Sequence, residues 1–578
     1  LNFLRLEDIF PIRRIFMVSK VSLLYRNACK KLKIEGENPD FIKDLQLDEI
    51  LKIMTSGSTS INSERIIVSV FSEFCQDAED ISYRYEVLQD FIEQPQMFWD
   101  LKAAIDMMIP VEKERQLSNR RRTDVTAEYK LGYGVNTLLG YSSVCKKVGE
   151  VLKGYRDKYS SRGLNLLYEA IFSYVDNDNY YKLEKILLGL KKCTQGYIRI
   201  KLNAKMDTCF KLKDAVVLDI DNNGYVSKIL ERDEYIKARL SKGFRSLKNI
   251  GRKIQGNYVL KNIDYILEEN ANEIKDKTLN GIVQILETMI ANISSFLRNL
   301  SDEMLFYEGA LKLVQTMKKL GLVTSKAEMT PIDERTFIAE DLYDLSFALY
   351  LSEKGFMNPL EKIVTNDVYI KGDERIQIIT GPNQGGKTTY IRAMGILQIL
   401  AQAGIPVPAM KAVISPVDMI FTHFPADEKP ESNEGRLGEE LLRMRTIVEN
   451  ATEHSLVLIN EAFASTNSKE GSMIAQDILT ALAIIGSRCS FVTHLNELAH
   501  RVSSINNDLG NLGVKCSRLI NMVAQYEESK DTIEEDSDAE VRKRTYKIIP
   551  GVPSKSSFAA DIAAQFKIRY VDFIHKFC

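Results

Sequence analysis

"RIQIITGPNQGGKTTYIRAMGILQILA", residues 375–401, decides the fold. An apolar run ends at Thr380, a glycine-rich turn follows, and an amphipathic helical run comes next. The turn has the form G-x4-G-K-T, from Gly381 through Gly386, Lys387 and Thr388. Strand, turn and helix in that order are the context in which such a turn cradles phosphate. The glycines let the backbone curl until its N–H groups face phosphate oxygens. The helix N-terminus adds the positive end of its dipole. Lys387 supplies a point charge for the β- and γ-phosphates, and the Thr388 hydroxyl suits Mg²⁺. A glycine-rich turn that binds nothing leaves the Lys-Thr pair and both flanks unexplained.

Working outward, "SLVLINEAFAST" (455–466) reads as a buried strand with an acidic tip. Its apolar run is of the kind expected to lie beside the phosphate-loop strand. Nucleotide-hydrolysing sheets commonly end this strand in Asp-Glu; here the pair is Asn460-Glu461. Asn460 keeps a carbonyl oxygen for a metal-bound water but brings no charge. Its alternative role is to cap the turn that follows. Glu461 keeps a carboxylate able to polarise water. "SFVTHLNELAH" (490–500) is a further apolar run with a polar tip, at His494. Its place after the Glu461 strand makes His494 a candidate γ-phosphate sensor, against the commoner structural role of a lone histidine.

From about residue 330, "RIQIIT", "AVIS", "LVLI" and "SFVTH" alternate with helical stretches. That texture predicts a parallel sheet with crossover helices, an α/β domain. Upstream, no proline occurs between Pro110 and Pro331, which permits long helices. Leu279, Ile282, Leu286, Met289, Ile293, Phe296 and Leu300 recur at alternating spacings of three and four, a coiled-coil-like seam. "AVVLDIDNNGYVSKIL" (215–230) reads as a β-hairpin turning at Asn223-Gly224. The expected division is an N-terminal helical segment over 1–120, a long-helix core and lever region over 121–335 with the small hairpin, and an α/β domain over 336–578.

The 578 residues exceed one core, and the net charge of −2 gives no global bias toward nucleic acid or membrane. Locally, residues 181–260 carry 18 Lys/Arg against 8 Asp/Glu. They form either a nucleic-acid-facing surface, helped by "NRRRT" (119–123), or a solvated helix face. Residues 525–540 hold eight acids and one lysine, the composition of a solvated loop. Eight cysteines show no metal spacing and read as reduced thiols of a cytoplasmic protein. No apolar run is long enough to span a bilayer, and no signal peptide is evident.

Taken together, "TGPNQGGKTTYIRAMGILQILAQAGIPVPA" with "ISPVDMIFT", "LINEAFASTNSKEG", "VTHLNELAH" and "PGVPSKSSFAADIAAQF" resembles the ATPase domain of the MutS mismatch-repair family over about 345–570. "LDEILKIMT" and "DISYRYEVLQDF" with "PQMFWDL" resemble that family's helical core more faintly. The resemblance implies an ABC-like ATPase that dimerises and sandwiches two nucleotides. It assigns the phosphates of ATP to Gly381, Pro382, Asn383, Gln384, Gly385, Gly386, Lys387, Thr388 and Thr389. It assigns Mg²⁺ to Thr388 and Asn460, and hydrolysis to Glu461, His494 and Lys387. In "NEGRLGEELLRMRTIVENA" (433–451), Gly435-Arg436 match the family's trans element, with Arg436 and Gly438 its candidate contacts; Leu437 stands where the family has Ser. The family's mismatch-reading domains and appended nuclease find no counterpart. The expected protein is therefore an ATP-hydrolysing homodimer that clamps DNA without reading mismatches. The alternative is a nucleotide-gated scaffold with little turnover, which Asn460 and Leu437 favour. An ABC transporter subunit is disfavoured because "LSGGQ" is absent.

Overall fold

The computed structural model describes residues 21–27, 30, 32, 39–58, 60–120, 127–175, 181, 184–185, 187–188, 199–206, 212–221, 257–425, 435–463, 466–513, 515–527 and 543–553. Asn223-Gly224, most of the basic 181–260 stretch, residues 121–123, the acidic stretch from 528 and the closing segment from 554 lie outside them.

The first part is helical. It comprises α1 (Asp40–Asp44), α2 (Asp48–Thr55), α3 (Ser63–Ser72), α4 (Ala78–Glu93), α5 (Pro95–Asp106), α6 (Met108–Arg120), α7 (Ala127–Gly154) and α8 (Arg162–Val175). A strand pair follows, β1 (Arg199–Met206) and β2 (Leu212–Asp221), and then the 63-residue α9 (Asn257–Lys319). At 1.5 Å per residue α9 runs for about 95 Å, a length the proline-free stretch permits. All seven seam residues from Leu279 to Leu300 are buried, and α9 packs on α7. The seam thus closes within the chain.

β2 pairs antiparallel with β1, Ala204 opposite Ala215, so residues 215–221 pair with a strand before them; the second run of the expected hairpin, 225–230, lies outside the described residues. Ile200, Leu202, Ala204 and Met206 alternate with polar residues, and that period-two signal is the partner's.

An α/β domain follows. Its first half is β3 (Ala327–Met329), β4 (Phe337–Leu342), α10 (Leu345–Glu353), β5 (Asn366–Ile370), β6 (Glu374–Thr380), α11 (Lys387–Gln402), β7 (Lys411–Ile414) and β8 (Ile420–His423). Its second half is α12 (Gly435–Asn450), β9 (Leu456–Asn460), α13 (Ser468–Ile485), β10 (Arg488–Val492), α14 (Asn496–Asn511), β11 (Arg518–Glu527) and β12 (Lys543–Pro550). The larger sheet has the order β12-β11-β6-β10-β9-β8 and is parallel except at β12. A smaller mixed sheet has the order β3-β7-β4-β5.

Two strand placements correct the sequence reading. The Glu461 strand, β9, does not neighbour the phosphate-loop strand β6; β10 lies between them. "AVIS" supplies β7, which belongs to the smaller sheet and runs antiparallel to β4. Strands buried on both faces are continuous apolar runs, and such runs carry no information about neighbour order.

Side chains on β9 alternate faces: Leu456 and Leu458 join one core, Val457 and Ile459 the other. The first core is continuous from the helical part through α11, while the second lies under α12, α13 and α14. Two buried arginines pin the joints. Arg488 donates to the carbonyls of Thr336, Ser415, Pro416 and His454, tying β10 to the smaller sheet. Arg84 of α4 donates to the carbonyls of Leu24 and Gln402 and pairs with Glu73. It thereby joins the helical part to the end of α11. Nearby, the buried Glu303 of α9 accepts from Ser22 Oγ at 2.5 Å and Leu23 N at 2.7 Å.

Candidate functional site

The site forms where β6, β9 and β10 end together. β6 and β9 end on the polar residues Thr380 and Asn460, and Thr493 directly follows β10. The turn after β6 needs its glycines. Gly381 has φ +136°, and a Cβ there would sit 2.7 Å from the Cβ of Ala524 on β11. Gly386, with φ +89°, caps the N-terminus of α11. Gln384 also takes a left-handed backbone, φ 59°. Its side chain accepts a hydrogen bond from Arg544 of β12 at 2.9 Å. Pro382, Asn383 and Gly385 complete the turn, and Thr388 and Thr389 lie in the first turn of α11.

Lys387 is 3% exposed. Its ammonium donates to the carbonyls of Gly381 (3.0 Å) and Pro382 (2.7 Å). Burial lowers its pKa to about 8, opposed by the Glu461 carboxylate. The Thr388 hydroxyl donates to Asn460 Oδ1 at 3.1 Å. Two neutral oxygens therefore face each other where an aspartate would add charge.

Glu461 follows β9 with φ 53°, and Phe463 has φ 62°. Such left-handed non-glycine positions carry strain, of order 1 kcal/mol or more each, and cluster at functional turns. The Glu461 amide donates to the Val492 carbonyl, and the Phe463 amide to Glu440 of α12. The turn is thus held from both sides. Glu461 Oε1 lies 3.0 Å from His494 Nε2, and Lys387 Nζ lies 3.5 Å from the same nitrogen. The hydrogen bond from His494 holds the Glu461 carboxyl below the usual range, against the burial that raises it. A charged carboxylate, an imidazole and an ammonium therefore meet beside an anion-cradling turn. That constellation can bind phosphates, orient a water and take its proton.

The candidate trans residues stand on the first turn of α12. α12 begins at Gly435; the Arg436 side chain lies outside the described residues, and Gly438 is partly exposed on the first turn. Leu437 is partly buried against the second core.

The sequence reading missed a cavity of about 310 Å³ beside the turn, walled by Phe347, Ile363, Val364 and Tyr546 and floored by Gln384, Gly386 and Thr389. Its lining mixes apolar and aromatic side chains with polar ones, among them Asn366, Gln384 and Thr389, a composition common to small-molecule sites. Its walls come from residues 180 positions apart: Asn366 donates through Nδ2 to the Tyr546 carbonyl and accepts at Oδ1 from the Ile548 amide. No local spacing carries that signal.

Two family models match the chain. The family model for MutS domain V matches residues 377–549, and that for the MutS2 N-terminal domain matches 76–320. The chain is 22% identical to the MutS protein homolog 4 of Mus musculus over 520 residues, 83% of this chain and 51% of the mouse protein. It is 28% identical to the endonuclease MutS2 of Thermus thermophilus over 276 residues, 48% of this chain and 33% of that protein. It is 25% identical to the DNA mismatch repair protein MutS of Rickettsia rickettsii over 460 residues, 69% of this chain and 51% of that protein. The chain thus spans between a third and a half of these relatives' lengths. Among the described residues, no helix is long and apolar enough to cross a membrane.

Proposed function

The chain belongs to the MutS superfamily, and from that premise we propose that it binds and hydrolyses ATP, dimerises through its α/β domain and closes on DNA. The observation that carries the reading is the convergence of Lys387, Glu461 and His494 beside the G-x4-G-K-T turn. ATP lays its phosphates along the N-terminal turn of α11, where free N–H groups and the dipole favour negative charge. Its base enters the cavity walled by Ile363, Val364 and Tyr546. Glu461, held ionised by His494, accepts the proton of the attacking water. Lys387 neutralises charge on the phosphates.

The Thr388 hydroxyl and Asn460 carbonyl oxygen are hard oxygen donors 3.1 Å apart, which suits Mg²⁺ and its water shell. Mg²⁺ held there would neutralise phosphate charge. Without an aspartate, its affinity rests more on the nucleotide.

DNA closure draws its support from the relatives named for DNA repair, the 95 Å-class helix α9 and the basic composition of 181–260. Contacts through lysine and arginine would be to the backbone and salt-dependent. A second reading, a nucleotide-gated scaffold with little turnover, is favoured by Asn460 and by Leu437, an apolar residue at the start of α12.

The deciding experiment is steady-state ATP turnover with Mg²⁺, with and without duplex DNA, beside Lys387→Ala and Glu461→Ala. Turnover abolished by both substitutions and stimulated by DNA is the expected result. ATP binding with no turnover would move the assignment to the scaffold.

A further inference from the structure

β12 leaves regular pairing where it passes the phosphate-binding turn. Ala524 pairs with Ile548 and Tyr526 with Arg544, so three residues of β12 face one of β11. The bulge is built in: Tyr546 sits at φ 58°, and Asn366 holds it by donating to the Tyr546 carbonyl and accepting from the Ile548 amide. A left-handed tyrosine held by a buried asparagine is a costly local geometry, and its effect is to bring β12 over the turn. Arg544, at the start of the bulge, then reaches the turn itself, donating through Nη1 to Gln384 Oε1 at 2.9 Å.

Gln384 is neutral. The guanidinium therefore has no ion-pair partner among the described residues, while its five donors allow several bonds at once. The charges already at the site nearly cancel. Lys387 is cationic but tied to two carbonyls and has a lowered pKa, and Glu461 is ionised beside it. A nucleotide polyphosphate brings several negative charges to this place, with no aspartate–metal pair to anchor them.

We propose that Arg544 is a second phosphate-contacting cation of the site, carried by the β12 bulge and parked on Gln384, and that it sets the affinity for nucleoside di- and triphosphates. The inference rests on the nucleotide-binding reading above and adds a residue to it. Because the guanidinium sits at the solvent-facing rim, its contribution is to affinity and is salt-sensitive. It leaves the Glu461–His494 chemistry untouched.

The test titrates Mg-ATP and Mg-ADP calorimetrically into the full chain, Arg544→Ala and Arg544→Lys, at low and at 0.3 M salt. Arg544→Ala is expected to weaken both nucleotides about tenfold at low salt. The loss should shrink at high salt, and Arg544→Lys should recover most of it. Arg544 is partly exposed, so unchanged melting temperatures are expected in both variants. If Arg544→Ala binds as the parent does, the arginine does not touch phosphate. If the loss is the same at both salt concentrations and Arg544→Lys recovers none of it, the arginine only braces the turn; both results overturn the proposal. A parent chain that binds neither nucleotide overturns the nucleotide-binding reading itself.

Discussion

Along α9, the seam from Leu279 to Leu300 is buried and apolar; at the ends of β6, β9 and β10, Lys387, Asn460 and Thr493 are buried and polar. The seam is held by area removed from water and tolerates any well-packed apolar set. The strand tips are held by directed bonds to specific partners: Lys387 to two carbonyls, Thr388 to Asn460, Glu461 to His494. The difference teaches where substitutions should act on stability and where on chemistry. The joints between the two regions, Arg488, Arg84 and Glu303, combine both properties, since each is a fully or almost fully buried polar group that fastens one element to another.

The comparison breaks most visibly at the joints. Arg488→Ala removes the guanidinium from four backbone carbonyls, of which Thr336 keeps the Ser415 amide and Ser415 keeps Gln398 as donors. We expect a loss of about 3–5 kcal/mol in urea unfolding, on the scale of breaking a buried charged network. A loss under 1 kcal/mol would mean water replaces the guanidinium. On the seam, Leu286→Ala should cost about 2–5 kcal/mol, the range for a buried leucine. Nucleotide affinity should stay within twofold of the parent; a larger shift would show that the seam and the strand tips are one unit.

Glu303 supplies a pH-dependent test. Burial raises its pKa to about 7, with Asp302 adding to the rise and Ser22, Leu23 and Arg84 opposing it. Unfolded, the carboxyl titrates near its ordinary value. Between these values the folded protein holds the proton that the unfolded chain has lost. Glu303 therefore contributes stability that is present at low pH and fades as pH rises from about 4.5 to 7, by about 2–3 kcal/mol. Urea midpoints from pH 5 to 8 should decline in the parent and flatten in Glu303→Gln. The same slope in both would assign it elsewhere. The smallest effect is expected at Asn460→Asp, which returns a charge beside Thr388 without moving an atom. Half-saturation of turnover by Mg²⁺ should fall a few-fold, with stability changed by less than about 1 kcal/mol. An unchanged Mg²⁺ requirement would remove Asn460 from the metal's surroundings.

Much of this was legible in the chain. The G-x4-G-K-T turn is readable because its strand, glycines, lysine and helix are consecutive: every atom of the cradle lies within about ten residues. The α9 seam is readable because a helix repeats its geometry every few residues, and proline is absent where it would interrupt. The α/β texture follows from apolar runs alternating with helices.

What the sequence by itself determined, then, is whatever depends on neighbours in the chain: the type of each long element, the seam on α9 and the chemistry of the phosphate turn. Only the tertiary structure decided which strands adjoin. β10 lies between β6 and β9, "AVIS" lies in the smaller sheet, and β2 pairs with β1. It also decided what meets the turn from afar: Arg544 and Tyr546 from more than 150 positions away, the latter held by Asn366, and His494 against Glu461. The physical reason is that an apolar run specifies burial and not a partner. Hydrophobic free energy is non-directional, so the choice among buried arrangements falls to packing and to a few hydrogen bonds that exist only once the chain is folded.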